Sequence, residues 1–147
     1  MKVHIKLLND TATIPTLGSA DAAGCDLYAN LAPEGGSATI APGTTYLIKT
    51  GIAMEIPERC AGFIYARSGL ASKRGLRPAN CVGVIDRDYR GEIMVALYND
   101  SQVEQTVNHG ERVAQMVIGP YLRPEFVVVS ELEDTDRGAG GFGHTGV

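Results

Sequence analysis

Several features that would assign a function quickly are absent from this 147-residue chain. No apolar run approaches the ~20 residues that a membrane-spanning helix needs, and the amino-terminal residues lack the apolar region of a signal peptide. A formal net charge of −4 excludes the broad basic surface that holds duplex nucleic acid. We therefore expect a soluble protein that binds neither membranes nor nucleic acid.

Cysteine is scarce, and its spacing is uninformative for metal binding. Cys25, Cys60 and Cys81 include no C-x-x-C pair and no spacing to histidine that is typical of zinc sites. Their odd number also argues against a disulfide framework. Free cysteines favour a reducing compartment, so we expect the protein to be cytoplasmic.

Glycine, in contrast, is abundant, with 18 residues. Five of them lie within the last ten positions, after an acidic stretch that begins at Glu131. Because this composition cannot bury a core, we predict a single β domain over residues 1–130 and a flexible glycine-rich arm over residues 131–147. The arm could fray without consequence or close over a ligand. Arg137 and Phe142 favour closure, since they supply a phosphate partner and an aromatic stacking face.

Most of the chain shows the period-two alternation of apolar residues that is typical of β-strands. One short helix is predicted between Ser68, a possible N-cap, and Gly75, a stop signal. Many short strands with one brief helix indicate an all-β sandwich, barrel or jelly roll. The predicted strands lie at residues 3–7, 46–50, 52–56, 93–97, 113–117 and 126–128.

The segment Gly83–Ile93 is the first candidate for a catalytic site. Apolar residues flank a polar connection, which predicts a β-hairpin with Asp86, Asp88 and Tyr89 at its bend. A carboxylate on a rigid strand edge could orient or deprotonate a water for phosphoryl chemistry. Aspartates are also common turn formers, so the segment alone leaves both interpretations open.

Two further segments could bind anions. Arg67, Ser68 and Gly69 stand where the predicted helix begins, and free N–H groups there favour a negative ligand. The alternative is simple helix capping by Ser68. Arg112 and Gln115 lie in a predicted strand, where the alternative is an edge-strand charge and a solvated amide.

In their order and spacing, five segments together resemble the five motifs of the trimeric dUTP pyrophosphatases (dUTPases). The likeness spans Lys2 to Gly146. It implies an all-β jelly roll, or β-clip-like barrel, with one short helix. It also implies a homotrimer with three active sites, each drawing motifs from all three subunits. The five segments lie at residues 23–29, 67–71, 83–92, 112–116 and 137–146.

The resemblance implies a dUTP diphosphatase that hydrolyses dUTP to dUMP and diphosphate, keeping uracil out of DNA and supplying dUMP for dTMP synthesis. Asp86 would be the general base that activates a water for in-line attack on the α-phosphorus. Mg²⁺ would be the cofactor, held by the triphosphate oxygens, with Asp26 binding it through water. Arg112 would either bind phosphate or form a structural ion pair beside the first motif.

The same resemblance implies the substrate contacts. Tyr89 would stack against the deoxyribose and leave no room for a 2′-hydroxyl, which rejects UTP. The main chain of residues 83–86 would read the uracil edge together with Asn80 and Met94. The full predicted substrate-binding set is Arg67, Ser68, Gly69, Asn80, Gly83, Val84, Ile85, Asp86, Tyr89, Met94, Gln115, Arg137, Phe142, Gly143 and His144.

The arm would close over the bound nucleotide, with Phe142 covering the uracil and Arg137 reaching the γ-phosphate. Three positions depart from the family pattern: Ala66 replaces a common proline, Cys25 a tyrosine or small apolar residue, and His144 a serine. An unperturbed histidine titrates at about pH 6.5. We expect the His144 imidazole to donate to the γ-phosphate and to bind more tightly when protonated.

Two alternatives compete with this interpretation. A dCTP deaminase shares the fold, but the resemblance implies an arginine four residues after the second-motif serine, where this chain has Ser72. A non-catalytic regulatory jelly roll is expected to have lost part of the motif set. Because Asp86, Tyr89 and the arm are all retained, dUTP hydrolysis fits the sequence better.

Overall fold

A computed structural model describes residues 1–80 and 82–141. Over these residues the chain forms twelve short strands and one α-helix, α1 (Ser68–Arg74), with a 3-10 turn at Ala32–Glu34. The all-β prediction with one brief helix is therefore confirmed. No helix within this part of the chain is long and apolar enough to cross a membrane. The strands are β1 (His4–Leu7), β2 (Thr16–Leu17), β3 (Cys25–Tyr28), β4 (Ser37–Ile40), β5 (Thr45–Lys49), β6 (Ile52–Glu55), β7 (Cys60–Tyr65), β8 (Leu76–Pro78), β9 (Gly83–Ile85), β10 (Met94–Asn99), β11 (Gln105–Asn108) and β12 (Arg112–Pro120).

The strands form antiparallel sheets that share one core. The largest sheet has the order β2-β3-β12-β7-β9, and the others are β5-β10-β8, β11-β4 and β1-β6. Leu27, Ile40, Ile52 and Leu97 come from four different sheets and are all buried in the same cluster. This all-antiparallel arrangement of sheets around one core fits the predicted jelly roll. β12 lies at the centre of the largest sheet, between β3 and β7.

Five of the six predicted strands overlap observed ones, namely β1, β5, β6, β10 and β12. Period-two burial is clearest in β10, where Val95, Leu97 and Asn99 are buried and the residues between them are half-buried. Six observed strands were not predicted, namely β2, β3, β4, β7, β8 and β11. Strands β4 and β11, for example, are four residues long and have too few apolar residues for the alternation to be recognised. In β4 only Ala38 and Ile40 are buried.

The predicted strand at residues 126–128 is wrong for the single chain. Among the residues that the structure describes, the last strand ends at Pro120, and residues 121–129 have no ladder partner. Phe126 and Val128 are 89% and 99% exposed. An apolar, β-branched run satisfies the sequence pattern, but a strand exists only where a second strand takes up its N–H and C=O groups.

The predicted hairpin over residues 83–93 is also wrong. β9 pairs with β7 in the largest sheet, whereas β10 pairs with β5 and β8 in another sheet. The polar residues between them therefore cross from one sheet to the next. Alternation identifies each strand correctly, but its pairing partner is set by contacts distant in sequence, which the local pattern does not contain.

Helix α1 begins one residue earlier than the capping prediction assumed. Arg67 is the N-cap, without a side-chain cap hydrogen bond, so the proposed capping role of Ser68 is wrong. Gly75 ends the helix in the left-handed conformation at φ 66°, as predicted. Arg74 fixes this end by donating to Glu111 at 2.9 Å and to Gln105 at 3.1 Å. The carboxyl end of α1 is thus fixed by Arg74, and Arg67 lies at its amino end.

The turn between β5 and β6 contains a glycine that no other residue can replace without strain. Gly51 has φ 70°, and a Cβ there would overlap the side-chain nitrogen of Asn30 and lie 2.7 Å from the Cβ of Ala12. Its N–H donates to the Glu92 carboxylate at 2.8 Å. This turn therefore anchors the segment that follows β9.

We expect Gly51→Ala to lower the free energy of unfolding by about 3 kcal/mol or more, because it combines a left-handed backbone with steric overlap. Gly43 is the matched control, since it has the same φ of 70° but no atom within 4 Å of the place that a Cβ would occupy. Gly43→Ala should cost only about 1 kcal/mol. Urea unfolding at equal protein concentration measures both values, and equal costs would contradict the packing argument.

Candidate active site

Residues from three of the predicted motifs meet in one cleft of about 400 Å³, which we call the basic cleft. It lies at the end of the largest sheet where β7 leads into α1, because Gln115 on β12 is opposite both Asp26 on β3 and Tyr65 on β7. The antiparallel register alone therefore brings the first, second and fourth motifs together. The cleft is lined by Gly18, Ala22, Gly24, Asp26, Arg67, Ser68, Gly69, Arg112 and Gln115.

A buried carboxylate organises the basic cleft. Asp26 is only 7% exposed, and its Oδ1 accepts a hydrogen bond from Nε of Arg67 at 2.7 Å. Its Oδ2 accepts one from Nη1 of Arg112 at 3.2 Å. The structural ion pair weighed for Arg112 is thus present. Two guanidinium groups on one carboxylate leave a net positive charge, which favours an anionic ligand.

Gln115 fixes the opposite wall of the basic cleft. Its Nε2 donates to the Ala66 carbonyl at 2.8 Å, directly before Arg67. Gly24 faces the same amide, and a Cβ at Gly24 would lie 3.0 Å from Oε1 of Gln115. Small residues therefore allow the strands and the α1 start to approach each other closely. Ser68 and Gly69, the first helical residues, line this cleft.

The third motif lies in a second cleft of about 500 Å³. It includes Asp86 and Asp88 of a segment that we call the Asp86 loop, residues 86–92, together with Val84 at the end of β9. Asp86 directly follows β9, so a strand end positions its exposed carboxylate. The other side chains that line this cleft were not predicted from the sequence: Ala61, Phe63, Arg87, Tyr121 and Arg123. Tyr121 and Arg123 carried no motif signal.

Tyr89 is held by hydrogen bonds within the Asp86 loop. Its N–H donates to the Asp86 carbonyl at 3.2 Å, and its phenol donates to the Glu92 carbonyl at 2.9 Å. Tyr89 remains 40% exposed. An aromatic face of fixed orientation, open to solvent, is suited to stacking on a ligand.

The residues predicted to read a base lie where the chain passes from β8 to β9. The N–H of Ala79 donates to the Ala96 carbonyl on β10 at 2.7 Å, so Asn80 leaves the sheet beside that strand. A Cβ at Gly83 would lie 3.1 Å from Nδ2 of Asn80, which places the amide against the Gly83 backbone. Met94, at the start of β10, is half-buried.

The two clefts lie at opposite ends of β7. Gly62 pairs with Ile85, so Ala61 is next to Asp86, and both line the second cleft. Arg67 follows six residues after Ala61, a span of about 20 Å in extended chain. The single chain therefore brings Asp26, Arg67 and Gln115 together but does not bring Asp86 to them.

The predicted arm residues fall partly outside the described chain. Phe142, Gly143 and His144 lie outside the described residues. Arg137 is exposed, and its Nε donates to the Gly140 carbonyl at 2.8 Å within a local turn. It lines neither cleft in this chain.

Cys25 is beside the basic cleft, one residue before Asp26. Its thiol donates a weak hydrogen bond to the Met116 carbonyl at 3.4 Å. Burial raises the pKa of the Cys25 thiol, so it is protonated and weakly nucleophilic at neutral pH. This cysteine therefore acts as a packing residue in the first motif.

The oxygen donors of the basic cleft suit a cation that is held only indirectly. Among residues 1–80 and 82–141, no three His, Cys, Asp or Glu side chains cluster as a metal cage. Each Asp26 oxygen already accepts from an arginine. A carboxylate has about four lone-pair positions, so both oxygens can still accept from water. Asp26 therefore fits Mg²⁺ that is bound by phosphate oxygens and waters, which Mg²⁺ prefers to keep.

An all-β domain with an arginine-lined cleft at one end of its main sheet and an exposed carboxylate loop at the other has the components of an enzyme that hydrolyses phosphoanhydrides. Comparison with known proteins specifies which one. The dUTPase family model matches residues 10–146, and the chain belongs to the dUTPase family.

Curated relatives and solved structures agree with this assignment. A deoxyuridine 5′-triphosphate nucleotidohydrolase of Desulfitobacterium hafniense is 50% identical over 91% of this chain and 87% of its own. One of Acinetobacter baumannii is 46% identical over 99% of both chains. Staphylococcus bacteriophage 80alpha dUTPase with dUpNHpp superimposes with a TM-score of 0.87 at 29% identity over 99% of both chains. A phage phi11 dUTPase mutant, described for the coordination of a structural Mg(II) ion, has a TM-score of 0.80 at 25% identity, over 91% of this chain and 100% of its own.

The two arginines on Asp26 should contribute unequally to stability. The Arg67 side chain is 27% exposed and that of Arg112 is 50% exposed, and the Arg67 contact is shorter. We expect Arg67→Ala to lower the free energy of unfolding by about 2 kcal/mol and Arg112→Ala by about 0.5 kcal/mol, because solvent screens the more exposed pair.

Chemical denaturation measures these costs. As a control, each arginine is also replaced in an Asp26→Asn background, where its cost should shrink because the charged partner is gone. Equal costs for the two arginines would contradict the screening argument. Costs that persist unchanged in the Asp26→Asn background would show that Asp26 does not organise the cleft.

Proposed function

We propose that this chain hydrolyses dUTP to dUMP and diphosphate, keeping uracil out of DNA and supplying dUMP for dTMP synthesis. The observation that carries the proposal is the basic cleft, in which three family motifs converge around Asp26. The curated relatives are named for this activity, and a solved neighbour of nearly the same length holds the substrate analogue dUpNHpp. The free thiols of Cys25 and Cys60 fit action in the reducing cytoplasm.

Asp86 is the general base of the proposed reaction. Its carboxylate takes a proton from a water whose oxygen forms a bond to the α-phosphorus, while the bond from that phosphorus to the bridging oxygen breaks. The electron pair leaves with diphosphate. The position of Asp86 at the end of β9 supports this role, because a strand end holds the carboxylate more firmly than a free loop would.

The triphosphate binds in the basic cleft. Arg67 contacts Asp26 through Nε, which leaves its two terminal amino groups for phosphate oxygens. The start of α1 at Ser68 and Gly69 adds N–H donors, and Gln115 adds an amide. Mg²⁺ bound to the phosphates would neutralise charge that repels the attacking water, with Asp26 holding it through water.

Base and sugar are recognised beside β9. The backbone of residues 83–86, the Asn80 amide that lies against Gly83, and Met94 form the uracil pocket. Close fit of a backbone-lined pocket excludes the thymine methyl, and mismatched donors and acceptors exclude cytosine. The open face of Tyr89 stacks on the deoxyribose and leaves no space for a 2′-hydroxyl.

Each active site is shared between subunits of a homotrimer. The basic cleft and Asp86 lie about 20 Å apart along β7 in one chain, too far to act on the same phosphate group. A complete site therefore combines the basic cleft of one subunit with the Asp86 loop of another. The arm carries Arg137, Phe142, Gly143 and His144 over the bound nucleotide, and residues 126–129, exposed in the single chain, are available to pair with a neighbouring subunit.

Asp86→Asn should abolish diphosphate release from dUTP while keeping most of the affinity for a non-hydrolysable analogue, because the lost group acts in the transition state. The assay measures diphosphate release with Mg²⁺ from dUTP, dCTP, dTTP and UTP, and turnover of dUTP alone is expected. We expect kcat to fall by about a factor of 1,000 or more.

Asp88→Asn is the matched control, since it removes a carboxylate two residues away in the same cleft. It should keep at least roughly a tenth of the wild-type rate, because loss of a nearby charge perturbs only the local field. A fully active Asp86→Asn variant, or comparable turnover of dTTP, would contradict the proposed function. Ammonia release from dCTP would support a deaminase instead.

Subunit sharing can be tested by complementation. Arg67→Ala and Asp86→Asn should each be inactive alone, since each damages every site. Co-expression gives mixed trimers in which about a quarter of the sites combine an intact basic cleft with an intact Asp86, so about a quarter of wild-type activity should return. Co-expression of Asp86→Asn with the Arg67→Ala/Asp86→Asn double variant is the control and should stay inactive. A mixture as inactive as its components would place the whole site within one chain.

A further inference from the structure

The backbone conformation at position 91 does not itself require the glycine that is found there, Gly91. It is not among the described glycines with positive φ, so an L-residue could adopt its conformation. A Cβ at this position would nevertheless overlap the phenol oxygen of Tyr89 and lie 2.6 Å from Cζ and 2.9 Å from Cε2 of the same ring. The atoms nearest to that Cβ position thus all belong to Tyr89. The ring therefore occupies the volume that a side chain at position 91 would need.

The Tyr89 ring reaches this position because both ends of its residue are tied to the Asp86 loop. The backbone N–H of Tyr89 donates to the Asp86 carbonyl at 3.2 Å. The phenol donates to the Glu92 carbonyl at 2.9 Å, beyond Gly91. The ring thus passes over Gly91 and fills the position that a Cβ there would take.

The loop cannot relieve a clash by moving its own backbone at low cost. The Glu92 carboxylate accepts the N–H of Gly51 at 2.8 Å, and the N–H of Ile93 donates to the Ile52 carbonyl at 2.8 Å. Ile93 is fully buried. Because residues 92 and 93 are fixed to the β5–β6 turn, a side chain at position 91 would displace the exposed ring rather than the loop.

We propose that Gly91 is a positioning residue for substrate specificity: it leaves open the space that sets the plane of the Tyr89 ring. The inference rests on the proposed function, in which that ring stacks on the deoxyribose and excludes a 2′-hydroxyl. A methyl group at position 91 breaks the phenol hydrogen bond to Glu92 and turns the ring away from the loop. The site then admits ribose more readily than before.

Gly91→Ala should therefore lower the ratio of kcat/KM for dUTP to kcat/KM for UTP by about a factor of 10 or more, since the penalty against the 2′-hydroxyl is lost. Gly119→Ala is the matched control, because Gly119 also has an ordinary φ and its added Cβ would meet only Phe63, at 3.4 Å. That control should keep the ratio within about a factor of 2. An unchanged ratio for Gly91→Ala overturns the specificity role.

A double-mutant cycle in thermal unfolding tests the contact without reference to catalysis. Gly91→Ala should lower the Tm by about 4 °C in the wild-type background, and by about 1 °C or less in a Tyr89→Ala background, where the ring is gone. An equal loss in both backgrounds overturns the proposal, since Gly91 would then act through its backbone. Should Gly91→Ala alone fail to fold, recovery of folding in the double variant supports the contact.

The two measurements separate the ways in which the proposal can fail. A wild type that does not hydrolyse dUTP overturns the proposed function and the specificity role with it. The unfolding cycle still decides whether Gly91 makes room for Tyr89, because it needs no substrate.

Discussion

The arrangement of this molecule depends on a buried carboxylate that two arginines share. Asp26 on β3 binds Arg67, which follows β7, and Arg112, which begins β12. A buried carboxylate without partners is costly, so the native state requires these three chain segments to meet. The same contacts leave a surplus positive charge in the cleft. One ion-pair network thus joins the central sheet to the start of α1 and leaves a positively charged cleft.

The antiparallel pairing around β12 brings the residues of the basic cleft together. The antiparallel pairing of β7 with β9 places the cleft that contains Asp86 at the other end of the sheet. β7 and β9 run in opposite directions, so Arg67 and Asp86, which follow these strands, lie at opposite ends of the sheet. No rotamer change spans that distance. In the proposed function, assembly of several chains brings the basic cleft of one subunit to the Asp86 loop of another.

The sequence was sufficient for features that local chemistry determines. Alternation located β10 and β12, the left-handed Gly75 ended the helix, and the Arg112 ion pair was one of two interpretations already open. The sequence was insufficient where residues distant along the chain determine which strands pair. The predicted hairpin at β9 is wrong because β9 pairs with β7. The predicted strand at residues 126–128 is wrong because no other strand of the described chain pairs with it. Cleft residues such as Arg123 follow from packing alone, without a motif.

Glycine serves two physically different purposes in this chain, and composition alone does not distinguish them. At Gly51 a left-handed backbone and lack of space act together, and the N–H of this residue anchors Glu92. At Gly91 the backbone is ordinary, and only the missing side chain matters, because Tyr89 lies in its place. The two positions are linked through Glu92, which accepts from Gly51 with its carboxylate and from Tyr89 with its carbonyl. A turn in the core is thus linked to the orientation of an exposed aromatic ring. In the proposed function, a rigid ring discriminates between sugars better than a mobile one because displacing it costs energy.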